Sequence, residues 1–301
     1  RDFGHDRRLV FCGDPAQLPP VGDSASPALD PAYFSDTFGL PAHAAELTQI
    51  VRQREDSPIL ALATTLRDNL RQGVFCDLDI VSHPPALDTV AAFPTAEWAA
   101  QFRAGGIGSS IVIADSNARA LRYNQAIRAE LFPDADGRPR PGEPLLVTAN
   151  AIRGQIPLLN GDIVEVVEVS DRLETVRQPL FARQSDGARE VVPLAFRPIV
   201  IRAGDETLGA RILENFLESP NRDLSTKERL ALFYHFLQRH PGLKRNSPDF
   251  LSRLFSDPWF NALRVKYGYA VTGHKAQGGE WPLVAVDMET AWRPATAAWF
   301  R

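Results

Sequence analysis

Cysteine is nearly missing from this 301-residue chain: Cys12 and Cys76 are the only two, and neither belongs to a C-x-x-C pair. That excludes a disulfide framework and zinc-ribbon spacing, and predicts reduced, buried thiols of a cytoplasmic protein. No run of about 18 apolar residues occurs, so no membrane-spanning helix is expected. No basic, apolar leader opens the chain, so secretion is not predicted. A cationic excess is lacking too. The net charge is −4, which excludes a surface that wraps duplex DNA by charge alone and leaves room only for a local nucleic-acid groove. The histidines show neither H-x-x-x-H nor H-E-x-x-H spacing, so no metal site is predicted. The phosphate-cradling pattern G-x-x-x-x-G-K-[ST] is absent as well. Methionine occurs once, at Met288, and the chain begins at Arg1, so the expectation is a piece of a longer protein.

What is present is an ordinary globular composition, 44% hydrophobic and 23% charged, enough for a sizeable core and two or more domains. "RLVFCGD" at 8–14 reads as a buried parallel strand, and "PAQLPPVGDSASP" after it as a proline-rich loop. "AELTQIVRQ" at 45–53 reads as another strand. Asp56 or Ser57 then caps a helix over 59–71 that stops at Gly73. "SSIVIADSN" at 109–117 is a strand, and Asn117 is a candidate cap for the helix "ARALRYNQAIRAELF". Strand alternating with helix predicts a parallel α/β domain. After Phe132 the pattern changes to short β segments with an Asn160-Gly161 turn signal. These predict an inserted β-barrel of about 70 residues. From 206 to about 262 the chain reads as helical, with a capping box at Ser225 and Glu228. "YAVTGHKAQGGEW" and "LVAVDM" then restore the strand-turn-strand rhythm.

Three stretches carry candidate chemistry. Asp14 and Gln17 follow the first strand, in the crevice where open α/β sheets bind ligands. The glutamine amide can donate to a phosphate or hold a water; a rigid surface turn is the alternative. Arg52 ends the second strand and can reach a phosphate with a planar fork of donors, or serve only as a surface ion pair. Thr272, His274 and Gln277 crowd hydrogen-bonding groups into six positions, and Gly278 and Gly279 allow close backbone approach to a ligand. Glu280 can accept from a sugar hydroxyl. A core histidine followed by a helix stop is the alternative for that motif.

Together these stretches resemble the superfamily 1B DNA helicases, the RecD-like and Dda-like enzymes. "LVFCGDPAQLPPVG" looks like their motif III, "ELTQIVRQ" like motif IV, and "YGYAVTGHKAQGGEW" like motif V, T-x-H-K-[SA]-Q-G. "IVIADSNARALRYNQAIR" is similar to a second-motor-domain segment with "N-x-x-I-R", and "LLVTANAIRGQIPLLNGDIVEVVEV" to the SH3-like barrel inserted there. The implied architecture is α/β. Residues 1–44 would be the tail of a first RecA-like domain, 45–135 the first part of the second, and 136–205 the SH3-like barrel. Residues 206–262 would be a helical insertion and 263–301 the return of the second RecA-like domain. The implied activity is ATP-dependent translocation on single-stranded DNA, 5′ to 3′, with ATP and Mg²⁺ as cofactors. Carried onto this sequence, Gln17 and Arg52 are the catalytic residues, and Asp14, Gly279 and Glu280 join them around the nucleotide. Asn117, Thr272, His274, Lys275 and Gln277 hold the DNA backbone or couple it.

The departures limit what this chain does by itself. The phosphate loop and the Asp-Glu pair that holds magnesium are absent, so the metal ligands would lie outside these residues. The chain ends at "AAWFR", before the family's last arginine motif. Loss of such an arginine costs about 10³- to 10⁵-fold in rate, so the expectation is no ATP hydrolysis by these residues alone. The implied partners are single-stranded DNA, the first RecA-like domain of the same protein, and nuclease or repair proteins. Three alternatives stand: a single-stranded-DNA-binding or regulatory module, an NTPase subunit of an exonuclease complex, and an unrelated α/β nucleotide-binding transferase.

Overall fold

The structure, a computed structural model, describes residues 8–20, 23, 25–47, 57–74, 93–133, 137–153, 156–183, 189–245 and 247–288. The chain divides into two compact units, Arg1–Phe93 with Glu289–Arg301, and Pro94–Met288.

The first unit contributes two helices. Helix α1 (Pro31–Phe38) starts at Asp30, whose side chain accepts the Ala32 N–H at 2.9 Å, and stops at Gly39. Helix α2 (Pro58–Gln72) starts after Ser57 and stops at Gly73, where a φ of 66° favours glycine. The expected stop is in place, while Ser57 holds the cap position without a side-chain cap bond. The expected strand over 8–14 is not formed. An extended segment becomes a strand only when a neighbour takes its N–H and C=O groups, and no described residue does so here. Leu9, Val10 and Phe11 are exposed, and Phe11 stacks on Phe34 with centroids 5.0 Å apart. Cys12, expected to be buried, is exposed; Cys76 lies outside the described residues. Of the strand expected over 45–53, residues 45–47 are irregular and the rest lie outside the described residues.

In chain order the elements of the second unit are α3 (Thr95–Gly105), β1 (Ser110–Ala114), α4 (Asn117–Leu131), β2 (Pro144–Val147), β3 (Ala151–Arg153), β4 (Ile156–Leu158), β5 (Ile163–Val169), β6 (Glu174–Arg183), β7 (Arg189–Ala203), β8 (Glu206–Leu213), α5 (Thr226–Arg239), α6 (Pro248–Ser256), β9 (Val265–Tyr267), β10 (Ala270–Thr272), α7 (Gly273–Ala276) and β11 (Leu283–Val286). They form an α/β layer and an antiparallel lobe.

In the α/β layer, β1 lies between β10 and β11, all parallel, with Val112 opposite Ala270 and Ala285. Its run Ser-Ile-Val-Ile-Ala is apolar almost throughout, as a central parallel strand requires. Helix α4 turns Ala120, Asn124, Ile127 and Arg128 inward, the spacing of one helical face. Its cap is Ser116, whose hydroxyl accepts the Arg119 N–H, and not Asn117 as expected. Asn117 is the first helical residue, which frees its side chain for other contacts. Trp98 and Phe102 of α3 are also buried, and Phe102 meets Tyr269 edge-on at 4.8 Å.

The lobe enters after α4 and leaves before β10. Its sheet runs β6-β7-β5-β2-β9, with β8 also on β7. Leu263, two residues before β9, pairs back onto β8: its N–H reaches Arg211 O at 2.7 Å, and its carbonyl accepts from Leu213 N at 3.1 Å. The pairings β7-β5-β2-β9 and β7-β8, joined by this one isolated bridge at Leu263, thus make a circuit. The segment 206–213 is strand, which corrects the helical reading of that stretch. Helix α5 carries the expected capping box. It packs Ala231, Leu232 and Phe236 inward, and the first two share a core with Leu194 and Phe196 of β7. Each buried side chain of this size contributes about 1.5–3 kcal/mol. Trp259 lies between the guanidinium groups of Arg211 and Arg239, at 4.1 and 4.2 Å, and donates to Glu174 at 2.9 Å. The helices thus brace the sheet.

Asp257 fixes the chain after α6. Its buried carboxylate accepts from Arg239 at 2.6 Å and from the N–H groups of Trp259 and Phe260 at 3.0 and 2.7 Å. Burial opposes its ionisation, but these donors outweigh burial and hold it below the usual 3.8. A depressed carboxylate contributes stability above its unfolded value, which is lost as pH falls through the folded value. Asp257→Asn is therefore expected to destabilise the chain at neutral pH and to flatten the loss of stability below pH 3.8. Urea unfolding repeated across acidic pH tests this, and an unchanged acid limb would count against it.

Candidate functional site

The carboxyl ends of β1 and β10 lie side by side, with Ala114 opposite Thr272. A cleft opens there between the α/β layer and the lobe. It is lined by Asn117, Leu121 and Asn124 of α4, Leu146 of β2, Lys266 of β9, and Thr272 and Lys275, among others. Its open volume is about 20 Å³, room for about one water molecule.

Three of the residues singled out from sequence meet in this cleft: Asn117, Thr272 and Lys275. Lys275 donates to the side-chain oxygen of Asn160, in the Asn-Gly turn between β4 and β5. His274, beside it on α7, is exposed, as are Gln277, Gly279 and Glu280 just beyond. Gly279 has a packing reason to be glycine. A Cβ there would lie 2.0 Å from the Trp281 ring, which packs against Ile111, Leu146 and Val271. Gly278, with φ at 84°, is the one whose backbone needs glycine.

Asp14 and Gln17 belong to the first unit. Asp14 takes a two-pronged bond from Arg67 of α2, at 3.0 and 2.6 Å, and the Ala16 N–H at 2.9 Å. Burial raises its pKa, but Arg67, the Ala16 amide and the Gln17 side chain together hold it below the usual value. The carboxylate thus ties the loop to α2, and Gln17 is exposed beside it. Arg52 lies outside the described residues.

Sequence reasoning missed the residues that hold the cleft in shape. Asn124 is buried and spans the start of β10: its amide donates to Ala270 O at 2.9 Å, and its oxygen accepts from Tyr269 N and Ala270 N, both at 3.0 Å. Lys266 was missed as well. Its ammonium donates to Asn221 O at 2.5 Å and lies 3.5 Å from the Asn117 oxygen. Burial, with the charge of Lys275 next in weight, pushes Lys266 down to about 8. Burial, and then Arg222, lowers Lys275. The signal for Lys266 was a charged residue between Val265 and Tyr267, both fully buried. In a strand that alternation turns it to the other face.

Among the described residues no group of acids, histidines and cysteines could hold a metal ion, and no helix is long and apolar enough to cross a membrane. Comparison with protein-family models and with curated proteins gives no match.

Proposed function

We propose that this chain is the strand-gripping part of an ATP-dependent DNA translocase of the superfamily 1B kind. Its α/β layer would be the second RecA-like motor domain, and its antiparallel lobe the SH3-like insertion. The observation that carries this reading is the convergence of Asn117, Thr272 and Lys275, drawn from two distant segments, on one cation-rich cleft at the carboxyl edge of a parallel sheet. Amide, hydroxyl and ammonium donors together suit the backbone of a single strand, whose phosphates offer the same contacts whatever the bases. His274, exposed next to Lys275, would lie along the same strand. ATP and Mg²⁺ would be held with groups outside these residues. A second reading is a strand-binding module without turnover, which the same cleft would serve.

Anisotropy of a fluorescent oligodeoxythymidine titrated with the chain tests the grip. Asn117→Ala, Thr272→Ala and His274→Ala are each expected to weaken binding about tenfold, since a hydrogen bond to a charged group contributes about 1.5–3 kcal/mol. A strand that binds all three variants as it binds the wild type, or that does not bind at all, would end this assignment. DNA-stimulated ATP hydrolysis by the chain joined to a phosphate-loop domain separates the motor from the passive binder.

A further inference from the structure

Most cations in the described residues have an acid beside them: Arg67 has Asp14, Arg128 has Glu143, Arg197 has Glu214, Arg239 has Asp257 and Lys227 has Glu190. Two that line the cleft, Lys266 and Lys275, and the exposed Arg222 nearby, whose charge lowers Lys275, have no salt-bridge partner among the described residues. Lys266 is held by a backbone carbonyl of Asn221, Lys275 by the amide oxygen of Asn160, and Arg222 follows Asn221 on the same loop. Lysine is scarce in this chain, four of its 33 basic residues, yet two of the four line this one cleft. Bringing half-buried like charges together costs free energy unless an anion joins them. The oxygens now holding the lysines are neutral and belong to two loops, so a tetrahedral oxyanion could replace both.

We propose that Lys266, Lys275 and Arg222 form a phosphate subsite that holds one phosphodiester of a single nucleic-acid strand beside Asn117 and Thr272. This rests on the strand-binding reading above, and adds Lys266 and Arg222, which lie outside every motif read from the sequence. The groups facing Lys266 are Lys275 of α7, the Asn117 oxygen of α4, the Asn221 carbonyl and the Phe216 ring at 5.3 Å. The nearby acid Asp223 is already bonded to Arg229 and Arg264. A bound phosphate therefore restores Lys266 toward the ordinary 10.5 from about 8. The sign follows: free Lys266 loses its proton as pH rises through 8, bound Lys266 keeps it, and binding takes up a proton and weakens as pH rises.

The test is the same oligodeoxythymidine titration, run across salt and from about pH 7 to about pH 9. Wild-type affinity is expected to fall about tenfold over that range. Lys266→Gln and Arg222→Gln should each flatten the salt dependence, and together by about 0.7 in log–log slope, the value of one single-strand phosphate contact. Lys266→Arg, which keeps the charge, should retain affinity at neutral pH and lose much of the pH dependence. Strand binding with slope and affinity unchanged in Lys266→Gln and Arg222→Gln overturns the subsite and leaves the strand-binding reading standing. A parallel arm uses the wild-type chain with isotopically methylated lysines, where only four side chains give signals. Addition of inorganic phosphate should raise the Lys266 titration midpoint. If phosphate does so while the oligonucleotide does not bind, the subsite serves free phosphate and the nucleic-acid assignment falls. If neither ligand moves Lys266, the subsite is refuted directly.

Discussion

Glu143→Ala is expected to lower the stability of the Pro94–Met288 unit by about 3–5 kcal/mol, the cost of leaving one partner of a buried ion pair alone. Glu143 is completely buried just before β2. Its carboxylate accepts from Arg128 at 2.6 and 3.1 Å, from the Tyr269 hydroxyl at 2.9 Å and from the Arg140 N–H at 2.7 Å. Arg128 also lies 3.8 Å from the Tyr267 ring centre and donates to Arg138 O at 2.9 Å. Burial works against the Arg128 charge, but Glu143 outweighs it and keeps the guanidinium pKa raised. Without Glu143 that charge stays in place uncompensated. At about 2–4 °C per kcal/mol for a unit of this size, the melting temperature should drop by about 10 °C. The pair Arg128→Met with Glu143→Leu should cost much less, because no charge is then stranded. Thermal melting followed by far-ultraviolet circular dichroism decides; a loss below about 1 kcal/mol for Glu143→Ala would mean that water reaches the pair.

Asn124→Ala should cost about 3 kcal/mol or more and should also weaken strand binding. The substitution leaves two N–H donors and one carbonyl at Tyr269 and Ala270 without partners in a buried place, and each such group costs about 1–3 kcal/mol. Asn124→Asp keeps the accepting oxygen but sets an ionisable carboxyl against the Ala270 carbonyl in a buried place, so it should approach the wild type only at acid pH, where the protonated acid can donate. Native-state hydrogen exchange gives the specific readout: the amides of Tyr269 and Ala270 lose protection in the alanine variant. Thr272 lies two residues farther along β10, so a loosened strand start moves a cleft residue. Unchanged protection at both amides would make Asn124 a bystander.

These two residues also mark where sequence reading stopped. The segment Asn-x-x-Ile-Arg was noticed as a pattern, and its parts have separate tasks: Asn124 docks β10, Ile127 fills the core and Arg128 meets Glu143. Local features were legible because their physics is local. The stop at Gly73, the capping box at Ser225 and the strand-to-helix step into α4 all rest on residues within a few positions of one another. Partnership across the fold was not legible. The apolar run at 9–12 looks like a strand, but pairing depends on a neighbour. Strand β6 hides its alternation behind buried Gln178 and a register shift after Pro179. Strand β8 was absorbed into a helical reading because its apolar residues cluster near its end, at Ile212 and Leu213. Of the candidate site, Thr272 was read from its own motif, and Asn117 and Lys275 only through the resemblance to the helicase segments. Lys266 and Arg222 were not, because a strand residue and a loop residue become neighbours only once the lobe is closed.

The stretch from Leu263 to Thr272 belongs to everything at once. Leu263 closes the strand circuit, β9 pairs with β2, and β10 is a rail of the parallel sheet. At the crossing, Gly268 passes so close to Pro144 that an added Cβ would lie 3.2 Å from it. There is no slack in that thread. Only Gly268 and Tyr269 separate β9 from β10, so a pull at the far end of β10 is handed to the lobe strand through two residues.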